Sequence, residues 1–287
     1  ENAYYIHVTL LPYIRPTGDL KTKPTQHSVK ELRSIGIQPD AIIARSDYPI
    51  SDGISDKIAL FCDVPRNAVI PLPTVENVYE VPLTLEEAGL GDTLVQSLGL
   101  QFRGCDLADW RAMVDRMNLP KEKISIAVVG KYTDLHDSYI SVKEALHHAA
   151  LYHGREVDIS WVRSEDIERE GPEALLSLAC GIVVPGGFGP RGIEGMIETA
   201  RYAREGDVPY LGLCLGMQMM VVEYARDILH LEVANSTEFD PETPYPVIDL
   251  MPDQQQVREM GGTMRLGLYP CNLVERSRAA EAYDESV

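Results

Sequence analysis

Cysteine pairs, lysine and histidine are what this 287-residue chain is short of, and each shortage closes off a class of function. Its five cysteines (62, 105, 180, 214 and 271) are odd in number and include no C-x-x-C pair. Neither a disulfide framework nor a structural zinc site is expected, and a reducing cytoplasm is the expected setting. No uncharged apolar run reaches 18 residues, so no membrane-spanning helix is expected. Lys and Arg number 26 against 44 Asp and Glu, a net charge of −18. A surface that acidic repels phosphate backbones and anionic lipid, so neither nucleic acid nor membrane is an expected partner. All eight lysines precede Glu144, and no histidine follows His230. The opening ENAYYIHVTLLPYI has neither an initiator Met nor the charged start and cleavage site of a signal peptide, and reads as a fragment cut at its N-terminus.

What is present is α/β. Apolar runs at 4–10, 40–45 and 68–72 read as strands, with helices at 25–35 and 55–61 between them. Pro24 suits a helix start, where its missing N–H costs nothing. A second set of strands falls at 124–129, 157–162, 181–184 and 209–213, with helices at 138–152, 172–178, 193–204 and 216–226. The expectation is two doubly wound, mostly parallel-sheet domains. One domain spans 1–105 and the other 123–287, joined by a helical linker over 106–122. The stretch 275–287 is polar and patternless and reads as a frayed tail.

The sharpest local feature is Pro209-Tyr-Leu-Gly-Leu-Cys214-Leu-Gly-Met-Gln218. An apolar strand runs into a Cys and a helix begins at once, with Gly212 and Gly216 two residues to either side. This is the form of a nucleophile elbow, in which small neighbours let the backbone turn sharply under an exposed side chain. The helix N-terminus favours thiolate, and its free amides can hold an oxyanion. The plainer alternative is a buried structural Cys. Val183-Val-Pro-Gly-Gly187-Phe-Gly189 likewise follows a strand and precedes a helix, where it can present backbone N–H groups or simply turn the chain.

Together the two motifs resemble the class I, triad-type glutamine amidotransferases. The resemblance implies that Cys214 attacks the glutamine side-chain amide, with Gly187 and Leu215 amides as the oxyanion hole. It also implies that Gly216, Met217, Gln218 and Glu238 help hold the glutamine. That chemistry needs a His base with an acid behind it. The one His-x-Glu in the chain, His230-Leu231-Glu232, follows a helix that starts beside Cys214. Sixteen residues at ~1.5 Å each place it roughly 24 Å away, out of reach. Neither His136, His147, His148 nor His153 is expected beside Cys214, so the triad reads as incomplete and little glutaminase activity is expected of this polypeptide.

The first half narrows the family. Lys21-Thr-Lys-Pro-Thr-Gln26-His-Ser-Val sets two lysines at a helix start, where ammonium groups and outward amides can bind a triphosphate or form only an exposed basic loop. This motif, with Lys57-Ile-Ala-Leu-Phe-Cys62, Val129-Gly-Lys-Tyr132, Asn235-Ser-Thr-Glu-Phe239 and Gly261-Gly-Thr-Met-Arg-Leu-Gly267, resembles the CTP synthase family from about residue 2 to 273. The resemblance implies ATP-dependent amination of UTP to CTP with ammonia from glutamine. It assigns Lys21, Thr22, Lys23, Pro24, Thr25, Gln26 and Lys57 to UTP or feedback CTP, and Pro73, Thr74 and Val75 to the ATP site. It also implies Mg2+, activation by GTP and a homotetramer, although the family's metal-binding carboxylates have no counterpart here and no metal ligand is assigned. Two other readings stand beside it. One is a class I amidotransferase serving another synthetase, against which the Lys21 motif counts. The other is a non-catalytic nucleotide-binding or assembly module.

Overall fold

The structure is a computed structural model and describes residues 3–101, 104–250 and 271–283. The Gly261–Gly267 motif lies outside the described residues. The chain divides into two compact units, Glu1–Pro120 and Lys121–Val287.

The first unit is built on strands β1 (Ile6–Leu10), β4 (Ala41–Ser46) and β5 (Val69–Pro73), all parallel, in the order β1-β4-β5. A two-residue antiparallel hairpin, β2 (Tyr13–Ile14) with β3 (Asp19–Leu20), leaves the carboxyl end of β1. Helices α1 (Lys23–Ser34) and α2 (Asp52–Cys62) are the crossovers. Alternation along β4 decides which face each side chain serves. Ile42 and Ala44 join Val29 of α1 and Ile58 of α2 in one apolar cluster. Ile43 joins Ile70, Leu72 and Leu90 in another, beneath α3 (Val81–Glu87) and α4 (Leu90–Ser97). Helix α1 begins two residues before its expected start, because Pro24 fits the first turn rather than preceding it. Helix α5 (Ala108–Asn118) packs on this unit: Trp110 Nε1 donates to the Tyr79 carbonyl at 2.8 Å, and Arg111 pairs with Glu87 at 2.9 Å.

The second unit carries β6 (Glu122–Gly130), α6 (Ile140–Tyr152), β7 (Arg155–Arg163), α7 (Ser164–Glu170), α8 (Pro172–Leu176), β8 (Gly181–Val184), α9 (Ile193–Glu205), β9 (Tyr210–Gly212) and α10 (Leu215–Asp227). Its sheet is parallel with order β7-β6-β8-β9. The chain moves from β6 outward to β7, then back across to β8 and β9. Right-handed crossovers therefore put α6 on one face and α7 to α9 on the other. The reversal between β6 and β8 is the topological switch point, the place where such sheets bind ligands at their carboxyl ends. Ala127, Val129, Ile182 and Val184 form the core with Met196, Ile197, Leu215, Met219 and Val222. A small parallel pair, β10 (Asn235–Ser236) and β11 (Pro246–Ile248), follows. The tail expected to be patternless instead contains α11 (Arg278–Tyr283), a short Ala-rich helix.

Candidate functional site

Cys214 stands where β9 ends and α10 begins, with φ +53 and ψ −108, a conformation that L side chains rarely adopt. The flanking glycines are what allow it. A Cβ at Gly212 would lie 2.5 Å from Met217 N and 2.6 Å from Gly216 C. A Cβ at Gly216 would lie 2.7 Å from Val184 C and 2.9 Å from Val184 Cβ, and nearer still to the Val184 carbonyl oxygen. That oxygen already accepts from Leu213 N at 2.9 Å. The buried Tyr210 hydroxyl, its pKa pushed up by burial, donates to the Gly216 carbonyl at 3.0 Å. The elbow is thus held from strand and helix at once, and the Cys214 residue is exposed at its tip.

The second motif lies against it. Gly186 follows β8 closely, and a Cβ there would meet Cys214 Cβ at 3.4 Å and Sγ at 3.8 Å. A Cβ at Gly187 would meet Leu215 Cδ2 at 3.4 Å. Glu238, exposed, reaches the same loop through Oε1, which accepts from Gly189 N at 3.3 Å. Leu215, Gly216, Met217 and Gln218 form the first turn of α10, and Gln218 N donates to the Cys214 carbonyl at 3.1 Å. The glutamine-site residues expected from the sequence are therefore gathered on Cys214 or on the loop it faces. His230 is not among them. It lies beyond the far end of α10 with φ +57, a helix of 13 residues and about 20 Å removed.

Sequence reasoning missed four residues here. Lys131, directly after β6, is 4% exposed, and its Nζ donates to the carbonyls of Phe188, at 3.3 Å, and Gly189. Tyr139, whose hydroxyl burial holds above the ordinary phenol pKa, donates to the Gly186 carbonyl at 3.4 Å. Tyr210 and Gly186 complete the set. Gly-Lys-Tyr after a strand was the one visible hint for Lys131, but its partners are 57 and 58 residues away.

In the first unit, the carboxyl end of the sheet opens on a cleft of about 810 Å³ lined by Lys21, Thr22, Lys23 and Lys57, among others. Tyr13 and Tyr48 stack in its wall with centroids 3.9 Å apart. Lys21 and Lys57 come from β-hairpin and helix, and the fold brings them to one cavity. Pro24 is the second residue of α1, Gln26 Nε2 donates to Thr22 Oγ1 at 3.0 Å, and Thr25 is buried with its hydroxyl 3.0 Å from that of Thr9. Pro73 ends β5. Thr74 next to it donates through Oγ1 to Asp47 at 2.6 Å and through N to the Ser46 carbonyl, and Val75 follows, partly buried.

Comparison with known proteins agrees with this division. Residues 1–100 match the family described as CTP synthase N-terminus, and residues 134–284 match glutamine amidotransferase class-I. CTP synthase of Dehalococcoides mccartyi is 58% identical over all 287 residues, which make up 53% of that protein. CTP synthase of Thermomicrobium roseum is 62% identical over 287 residues, 52% of its length. Among solved structures, the Trypanosoma brucei CTPS glutaminase domain with bound acivicin is 37% identical, at a TM-score of 0.43 covering 46% of this chain and 52% of that one. The chain spans about half the length of the curated relatives it matches. With the Cys214 elbow in its second half and the Lys21 cleft in its first, the chain belongs to the CTP synthase family and includes that family's class I glutamine amidotransferase domain.

Proposed function

We propose that Cys214 releases ammonia from glutamine and that this ammonia aminates UTP to CTP with consumption of ATP. The observation that carries the reading is the strained Cys214 backbone, held between two glycines that admit no side chain and facing Gly186 of the second loop. The thiolate adds to the side-chain carbonyl carbon, and the oxygen takes the negative charge against the amides of Gly187 and Leu215. The C–N bond then breaks, the nitrogen leaves as ammonia with the proton that the thiol gave up, and water cleaves the thioester to glutamate and free thiol. A general base must carry that proton and activate the water, and His230 is too far from Cys214 to be it. Glu238, Gln218, Met217 and Gly216 orient the glutamine.

In the synthetase half, ATP phosphorylates the UTP 4-oxygen and ammonia displaces that phosphate. The cleft with Lys21, Lys23 and Lys57 suits a nucleoside triphosphate, since three ammonium groups on one cavity oppose a strongly acidic chain. Pro73, Thr74 and Val75 form the adenine side of the ATP site, GTP activates the glutaminase, CTP competes with UTP, and the working form is a cytoplasmic homotetramer. Mg2+ accompanies the ATP, but no group of three or more His, Cys, Asp or Glu among the described residues is placed to hold it.

The test is labelling with a chloroketone analogue of glutamine, read by mass spectrometry. Cys214 is expected to react well ahead of the exposed Cys105, Cys180 and Cys271, and glutamine is expected to protect it. Equal labelling of the four would overturn the reading. For the other half, Lys57→Met is expected to weaken CTP binding roughly tenfold, as loss of one charge-assisted contact does.

A further inference from the structure

The oxyanion loop is Gly186-Gly187-Phe188-Gly189, three glycines in four residues. Glycine loses more backbone freedom on ordering than any other residue, so such a loop does not hold its own amides in place. Stabilisation of a developing oxyanion depends on donors fixed in advance. Something outside the loop must therefore fix it, and among the described residues one buried cation lies against it.

Lys131 is that cation. Its stem passes beneath Gly187, where a Cβ would lie 3.2 Å from Lys131 Cδ. Its Nζ donates to the carbonyls of Phe188 and Gly189 and lies 5.7 Å from the centre of the Phe239 ring. The Phe188–Gly189 peptide is consequently gripped on both sides, its C=O by Lys131 and its N–H by Glu238. A planar trans peptide held by both of its polar groups cannot rotate. Two peptides earlier, Tyr139 holds the Gly186 carbonyl, which sends the Gly187 N–H of the same plane in the opposite direction. Arg191 in turn donates to the Lys131 carbonyl at 2.9 Å and so anchors the lysine's own backbone.

We infer that Lys131 is a positioning residue for glutamine hydrolysis, its ammonium clamping the Phe188 and Gly189 carbonyls so that the Gly187 N–H is presented beside Cys214. The inference rests on Cys214 being the nucleophile, and the experiment separates the two. A chloroketone glutamine analogue reacts through addition to its carbonyl and needs an oxyanion donor. Iodoacetamide alkylates a thiolate by direct displacement and needs none. Both rates at Cys214 are measured by mass spectrometry on the full chain, for wild type, Lys131→Met and Lys131→Arg.

Removing one oxyanion donor costs roughly 10²–10³-fold, and a displaced donor less, so Lys131→Met should slow the chloroketone at least ~10-fold. Its iodoacetamide rate should stay within about twofold, because the elbow itself is held by Gly212, Gly216 and Tyr210. Lys131→Arg keeps the charge and should retain more of the chloroketone rate. An unchanged chloroketone rate in Lys131→Met overturns the inference. So does an equal slowing of both reagents, which makes Lys131 a support of the fold alone. A wild-type Cys214 that reacts with the chloroketone no faster than Cys105 does removes the nucleophile itself.

Discussion

Replacing Gly216 with alanine sets two effects of opposite sign against each other. Within a helix, Gly to Ala is normally stabilising by ~1 kcal/mol, because alanine loses less backbone freedom. Gly216 lies in the first turn of α10, and its backbone has an ordinary negative φ, so nothing in its conformation demands glycine. The demand comes from packing. The new methyl would sit 2.7 Å from Val184 C and 2.9 Å from Val184 Cβ. Carbon contacts settle at ~3.5 Å or more, so helix and strand must part by at least roughly 0.8 Å, and by more where the methyl meets the Val184 carbonyl oxygen. Val184 cannot yield alone, because its carbonyl is bonded to Leu213 N and its strand lies between β6 and β9. Overpacking of this kind costs ~1–3 kcal/mol, enough to cancel and exceed the helix gain. The net expectation is a loss of up to about 2 kcal/mol, or up to roughly 8 °C in Tm for a domain of this size. The larger effect is chemical. A shift approaching 1 Å moves the Leu215 amide and Cys214 off the Gly186 loop, and a misplacement of that size is worth about 10²-fold in rate. Differential scanning calorimetry and chloroketone labelling of Gly216→Ala check both. A variant that melts at or above wild type and labels at the wild-type rate would refute the steric account of the elbow.

Three further perturbations probe other parts. Glu223 is 2% exposed and accepts from Arg204 at 2.8 and 2.9 Å, so Arg204→Ala strands a carboxylate in the core of α9–α10 and should cost about 3 kcal/mol. Adding Glu223→Leu should recover much of that in thermal melts, and a double variant no better than the single would contradict the pairing. His230→Ala should leave Cys214 labelling unchanged, since a 13-residue helix separates them, and a tenfold fall would show that His230 reaches the site. Burial lowers the pKa of His7, which bonds Ser28 at 2.8 Å, below its ordinary 6.5. The unfolded chain then binds more protons near pH 6, so stability is full above pH 6.5 and falls as pH drops through the folded pKa. His7→Gln should flatten that part of the Tm–pH curve, and an unaltered slope would exclude His7 as its source.

The sequence made the elbow legible because its geometry is local. Two glycines around a cysteine, after an apolar strand, state in seven residues that the chain turns too sharply for side chains at 212 and 216. The strand Gly181–Val184 of the second sheet was legible for a related reason: a Val and Ile run buried along its whole length needs no partner to be recognised. The hairpin Tyr13–Leu20 was not, since two-residue strands have no periodicity to read. The helix Ser164–Glu170 was hidden by its charge, which looks like a solvated loop although Ile167 beneath it is fully buried.

Glu223 and Lys131 mark where such reading stops. Each is a charged residue that composition assigns to the surface, and each is buried because a partner distant in sequence meets it. For Glu223 the partner is Arg204 on the neighbouring helix, and the pair fastens two elements that pack in any case. For Lys131 the partners are carbonyls of a loop that would otherwise be slack, beside the residue that does the chemistry. The difference predicts how the two respond to substitution. Loss of the Arg204–Glu223 pair should lower Tm and leave the ratio of chloroketone to iodoacetamide rates at Cys214 unaltered. Loss of the Lys131 ammonium should lower that ratio by more than its effect on Tm accounts for.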